Sequence, residues 1–229
     1  MTRSDKFIYH GKNIILMSYS LDKTSAGKFS NICLNPLMRF HPQKYRIQEL
    51  GNLFTMTMNM GIMQMMSFII TPFERDMPMI SLDFIFLPGR SKAYAEFYDL
   101  TASPDSPHYI DVTRKMSEIC GRYTHISDIS QNAAPWYSDI RKIFMLKESS
   151  DKAVIDVLFQ DVVSTYIEVS RTLPLLSPDE QLSKRLIVKD YCEKLARNGG
   201  ASTNIFKEHF GEEYTLQFFT DVMFGCNRK

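Results

Sequence analysis

The sequence predicts an α+β sandwich, and three observations carry that expectation. Strand-like runs separated by turn residues fill the first half, helix-start signals and helical spacing dominate the second, and the two kinds of segment do not alternate. Strands followed by helices argue against a βαβ nucleotide-binding fold. Near the start, Phe7–Tyr9 and Asn13–Ser18 flank His10-Gly11-Lys12 and read as a hairpin. Lys23–Gln48 reads as irregular, with Pro36 and Pro42 as breakers. Two consecutive hairpins come next. Phe54–Asn59 and Ile62–Ile70 flank Met60-Gly61, and Met79–Leu87 and Lys92–Asp99 flank Pro88-Gly89-Arg90-Ser91.

In the second half, Ser106-Pro107 precedes a helix over His108–Arg122. Ser150-Asp151 caps another, in which Val154, Val157, Leu158, Val162 and Tyr166 recur at helical spacing. Ser177-Pro178-Asp179-Glu180 places Ser at the N-cap, Pro at N1 and Glu at N3, a strong start for a helix that ends near Asn198-Gly199-Gly200. A short helix then closes at Gly211, and a last one carries Tyr214, Phe218, Phe219 and Val222. With no repeat, no low-complexity segment and only a short Thr101–Pro107 stretch between the halves, residues 1–229 are expected to form one domain.

Composition narrows the function classes. Hydrophobic residues make up 44% of the chain and charged residues 23%, as in an ordinary globular protein. Lys and Arg total 27 against 26 Asp and Glu, so the overall charge gives no argument for nucleic acid or an anionic membrane as partner. The N-terminus lacks the long apolar region of a signal peptide, and no run of about 20 apolar residues is present to span a membrane. Cys33, Cys120, Cys192 and Cys226 are dispersed without ligand spacing and are expected to be reduced thiols of a cytoplasmic protein, expected to be monomeric.

The motifs of phosphate cradling, zinc hydrolysis and serine hydrolysis are missing. Pro88-Gly89-Arg90-Ser91 reads as a turn rather than a phosphate loop, because no helix N-terminus follows it. Met56, Met58, Met60, Met63, Met65 and Met66 suit Cu(I), but no nearby His or Cys completes a metal site. They read instead as flexible core or as the wall of a pocket for a large flat apolar ligand. His41 and His125 lie in segments that read as irregular, and Trp136 reads as a packing anchor. Asp83 is the feature that points to chemistry. It sits among Ile80, Leu82, Phe84, Ile85 and Phe86, where a carboxylate either finds partners or holds its proton at a raised pKa.

The run Met77-Pro78-Met79-Ile80-Ser81-Leu82-Asp83-Phe84-Ile85, the turn Pro88-Gly89 and the strand closing at Asp99-Leu100 resemble the ferredoxin-dependent bilin reductases. The resemblance returns at Pro135-Trp136-Tyr137, at Asn198, at Phe210-Gly211-Glu212 and over Phe218–Phe224, covering roughly residues 40–229 by order and spacing. It implies a three-layer α/β/α sandwich with a central antiparallel sheet and an open-chain tetrapyrrole, such as biliverdin, between the sheet and the C-terminal helices. It also implies no bound metal or organic cofactor, with single electrons delivered by reduced ferredoxin or flavodoxin and protons supplied by side chains. Asp83 matches the family's central aspartate, so its implied role is proton donor to the bilin.

Three positions depart from the family pattern: Met66 or Ser67 stands where members carry His or Asn, Phe54 or Thr55 where one branch has Glu, and Gly199 where many have Asp. Glu96, whose strand parity matches Tyr94, is either a second donor or solvent-facing. Asn52, Gln64, Met66, Ser67 and Tyr94 are candidate pocket contacts, and Arg46, Arg90, Lys92 and Arg141 are candidates for holding the bilin's propionates. Lys184, Arg185 and Lys189 are candidates for docking an acidic electron donor. The lost relay positions also leave room for a non-catalytic tetrapyrrole binder, or for reduction of a different linear tetrapyrrole such as a chlorophyll catabolite.

Overall fold

The computed structural model describes residues 1–130, 135–200 and 203–227. Among these residues, nine strands pair antiparallel in one sheet: β1 (Leu21–Thr24), β2 (Ile32–Asn35), β3 (Met38–Ile47), β4 (Gly51–Asn59), β5 (Gln64–Pro72), β6 (Met79–Leu87), β7 (Arg90–Tyr98), β8 (Ser127–Asp128) and β9 (Ile143–Ser149). Their spatial order is β1-β3-β4-β5-β6-β7-β9-β8, and β2 also pairs with β3. Helices α1 (Arg3–Leu16), α2 (Pro107–Arg122) and α3 (Lys152–Arg171) cover one face. Helices α4 (Pro178–Asn198), α5 (Thr203–Phe210) and α6 (Glu212–Phe218), with a π-helical turn over Phe219–Met223, cover the other. The result is the expected α+β sandwich of three layers.

The alternation of side chains along each strand builds two separate cores. Leu82, Phe84 and Phe86 of β6 point toward α1 and α3, where Phe7 packs 5.3 Å from Phe84 and 5.0 Å from both Phe86 and Phe159. Each such buried ring contributes about 2–3 kcal/mol of transfer free energy. Met79 of β6 faces the other way, into the layer formed by the C-terminal helices. No helix among the described residues is long and apolar enough to cross a membrane.

The N-terminal hairpin expectation is corrected: residues 3–16 are helix α1. Thr2 and Asp5 form a reciprocal capping box, and Ser4, Phe7, Gly11 and Ile15 fall on one buried stripe. Gly11, which suggested a turn, is there for close packing. A Cβ on it would lie 2.7 Å from Phe68 Cε2 and 2.9 Å from Phe159 Cζ.

Lys23–Gln48 is likewise more regular than expected, since it holds the end of β1, all of β2 and all of β3. Pro42 is tolerated inside β3 because β2 pairs with residues 38–40 and β1 with residues 44–47, so Pro42 falls in the gap between the two neighbours. The turn after β6 is tighter than expected, with Leu87 directly opposite Arg90 and Gly89 at φ 74°, a value that favours glycine. The helix starts agree with the sequence reading: Ser106, Asp151 and Ser177 cap α2, α3 and α4.

Gly11→Ala is expected to destabilise the protein by up to about 2 kcal/mol in urea unfolding, because overpacking against the two rings, about 1–3 kcal/mol, outweighs the roughly 1 kcal/mol that alanine gains inside a helix.

Candidate functional site

Between the sheet and the C-terminal helices lies a cavity of about 450 Å³. Its two halves differ in chemistry. Met38 and Phe40 of β3, Met56 and Met58 of β4, and Met63 and Met65 around the start of β5 form a thioether-rich wall. Ser67 of β5, Ser81 and Asp83 of β6, and Tyr94, Glu96 and Tyr98 of β7 form a polar one. Tyr191 and Leu195 of α4, Phe206 of α5, and Phe219, Met223 and Phe224 near the C-terminus close the space opposite the sheet.

Register brings the polar residues together. Ser67, Asp83 and Tyr94 lie in one row across β5, β6 and β7, and Ser81 and Glu96 lie opposite each other in a neighbouring row. The apolar residues beside Asp83 in sequence, Leu82 and Phe84, belong to the opposite face. The protein walls of the cavity therefore bury the carboxyl, not its chain neighbours. Ser67 Oγ donates to Asp83 Oδ1, and Ser81 Oγ donates to Oδ2 over 3.0 Å. Burial pushes the Asp83 carboxyl up to about 6, the two serine hydrogen bonds pull it down, and the charge of Glu96 pushes it further up.

Glu96 is held differently. Its Oε1 accepts from Arg141 Nη1 in an ion pair, and its Oε2 accepts from Tyr98 Oη over 3.2 Å. Arg141 is itself pinned between aromatic rings, its guanidinium carbon 5.0 Å from the Tyr137 centroid and 4.5 Å from that of Phe144. Tyr98 and Tyr191, with ring centroids 5.5 Å apart, are both buried, and burial raises their phenols above the ordinary range. The arrangement sets an acid of raised pKa beside an ion-paired glutamate in a largely apolar space.

Of the seven sequence-nominated site residues, the structure gathers Ser67, Asp83, Tyr94 and Glu96 in the cavity. The other three need correction. Met66 points to the opposite core, because it is adjacent to Ser67 on a strand and the two cannot share a face. Gln64 also faces that side, where its Oε1 accepts from the first amides of α1, Arg3 N at 2.9 Å and Ser4 N at 3.3 Å. Asn52 lies behind the cavity wall, donating to the carbonyls of Val222 (3.4 Å) and Met223 (3.2 Å).

No Lys, Arg or His among the described residues lines the cavity. The four propionate candidates are each paired with a protein carboxylate: Arg46 with Glu74, Arg90 and Lys92 with Glu148, and Arg141 with Glu96 of the cavity wall. Among the docking candidates, Lys184 is buried on Asp76 at 2.8 Å and Arg185 lies over the Phe73 ring at 4.2 Å, so only Lys189 is exposed. His41 and His125 are exposed outside the cavity. Trp136 packs near Tyr191 and donates to Gly199 O over 3.0 Å; Ala134 beside it lies outside the described residues. Ser81, Tyr98 and Tyr191 were not singled out in the sequence. Strand parity with Asp83 and Glu96 marks the first two, whereas Tyr191 carries no such signal.

No family model matches the sequence, and no curated protein is detectably similar to it in sequence. In three dimensions the chain is similar to the crystal structure of phytochromobilin synthase from tomato in complex with biliverdin, with a TM-score of 0.77 and 12% identity over 97% of this chain and 83% of that one. The likeness shows a shared fold, the one the family resemblance implies.

Two outcomes are expected at this site. Asp83 binds its proton more tightly when folded than when unfolded, so stability is favoured below about pH 4 and that advantage is lost as pH rises through about 6. Asp83→Asn should therefore flatten the stability profile across this window and be more stable than the parent at pH 7.5 by about 1–3 kcal/mol in urea unfolding. Arg141→Met strands a largely buried Glu96 and should cost about 3–5 kcal/mol, part of which Glu96→Gln in the same chain restores.

Proposed function

We propose that the cavity binds an open-chain tetrapyrrole of the biliverdin class and that the chain reduces it, with a ferredoxin- or flavodoxin-type protein supplying electrons and Asp83 supplying a proton. The observation that carries this reading is a carboxyl with its proton held up to about 6, set in the polar wall of a cavity otherwise lined by thioethers and rings. The fold shared with a protein crystallised with biliverdin adds support. Reduction of one carbon–carbon double bond takes two electrons and two protons. An electron entering a flat conjugated ligand creates negative charge, and an adjacent protonated carboxyl neutralises it in a space from which the ligand has displaced water. Asp83 supplies one of the two protons and solvent the other, and Asp83 recovers its own from solvent when the cavity is open. Ser67 and Ser81 hold its oxygens in place, and Tyr94 borders the same row.

A second reading has its own observation. Both oxygens of Glu96 are engaged, by Arg141 and by Tyr98, so Asp83 is the cavity carboxyl without an ion-pair partner among the described residues. A protein with one acid in place of a relay suits tetrapyrrole binding without turnover.

An anaerobic absorbance titration with biliverdin, followed by reduced ferredoxin and its reducing system, separates the readings. The reductase is expected to give a bound-bilin spectrum that moves to a shorter-wavelength product, and Asp83→Asn should slow that step by roughly 10²-fold while binding persists. A stable bound spectrum under a donor that reduces a control enzyme favours the binder, and no bound spectrum removes both.

A further inference from the structure

Two turns at one end of the sheet are built alike. Phe40 pairs with Met58 and Asn59 with Gln64, so the β2–β3 and β4–β5 turns project from the same end. Each opens with an asparagine that holds the turn: Asn35 Oδ1 accepts from Leu37 N and Met38 N, both at 3.0 Å, and Asn59 Oδ1 accepts from Gly61 N at 2.9 Å. Each then exposes a large apolar residue, Leu37 at 73% and Ile62 at 79%. The next residue in each case, Met38 or Met63, lines the cavity. From the other side of the cavity, Ile205 of α5 also lines it and is 48% exposed. Its neighbour Phe206 packs 5.5 Å from Phe40, which brings the start of α5 against this end of β3.

We propose that Leu37, Ile62 and Ile205 form an outer subsite at the mouth of the cavity, which takes the apolar end of an elongated ligand whose body lies along the thioether wall. The proposal rests on the reading that the cavity holds a flat conjugated ligand, and it adds where that ligand enters and what grips its outer end. Single exposed apolar side chains need no partner, but these three are continuous with a cavity wall of the same chemistry. Turns ordinarily present polar residues at their tips, and here the tips carry leucine and isoleucine. The segments Asn35-Pro36-Leu37-Met38 and Asn59-Met60-Gly61-Ile62-Met63 hold no charged residue. An uncharged lip suits an alkyl-substituted end ring, whereas a charged headgroup or a partner docking through charge finds no counter-ion on it. Covering the three side chains removes apolar surface from water only when ligand is bound, so the subsite contributes to affinity and residence time and not to folding.

Leu37→Ser, Ile62→Ser and the double variant are titrated with biliverdin by absorbance. Each single change is expected to loosen binding by about 10-fold and the pair by about 100-fold, mainly through faster dissociation, while the urea unfolding midpoint stays at the parent value. Unchanged affinity in the double variant would overturn the proposal. So would a parent chain that co-sediments with phosphatidylcholine–phosphatidylglycerol vesicles when the double variant does not, since the lip would then be a membrane contact. If the parent gives no biliverdin spectrum, the tetrapyrrole reading fails by itself, and the subsite is decided with anilinonaphthalene sulfonate as probe. Weaker dye binding in the double variant then supports the subsite, and equal binding overturns it.

Discussion

A sheet covered on both faces leaves no neutral side for a strand to present, and this constraint orders the whole molecule. Each of the long central strands sends alternate residues into two different environments, so a one-residue slip would exchange both sets at once. On β6 the choice lies between Leu82, Phe84 and Phe86 packed on α1 and α3, and Ser81, Asp83 and Ile85 facing the cavity. The ring cluster of Phe7, Phe84, Phe86 and Phe159 therefore does more than add apolar burial, because it specifies the register that aligns Ser67, Asp83 and Tyr94 on the other face. The position of the acid is a consequence of packing on the side it never touches.

Once aligned, the two cavity carboxyls are distinguished by their partners. Asp83 receives hydroxyls, which satisfy its oxygens without supplying positive charge, so desolvation dominates and its pKa rises to about 6. Glu96 receives a guanidinium that is itself held between two rings, and its carboxylate has a fixed counter-charge. The two acids thus differ in what they are tied to, neutral hydroxyls on one and a single cation on the other.

How much of this was legible in the sequence depended on whether the signal was local. Ser106, Asp151 and Ser177 announce their helices because capping is decided within four residues. Helix α1 was hidden because Gly11 mimics a turn, and its true role, clearance for Phe68, is set by residues far along the chain. Pro42 argued against β3 because the gap between β1 and β2 that excuses it exists only after the sheet is assembled. The same division holds at the site. Asp83, Glu96 and Tyr94 follow from strand parity, and that rule also separates Met66 from Ser67. The partner of Glu96 and the burial of Lys184 are tertiary facts without a local sign.

The thioether wall has a consequence for the history of the cavity. Methionine has three rotatable side-chain bonds and no branching, so Met38, Met56, Met58, Met63 and Met65 can present differently shaped surfaces without any shift of the backbone that carries them. The polar wall has no such latitude, since its serines and carboxyls are tied to one another and to Arg141. One half of the cavity thus behaves as a mould and the other as a template. A change of ligand shape would be absorbed by rotamers on β3 to β5, whereas a change in where a proton is needed would demand new residues on β6 and β7.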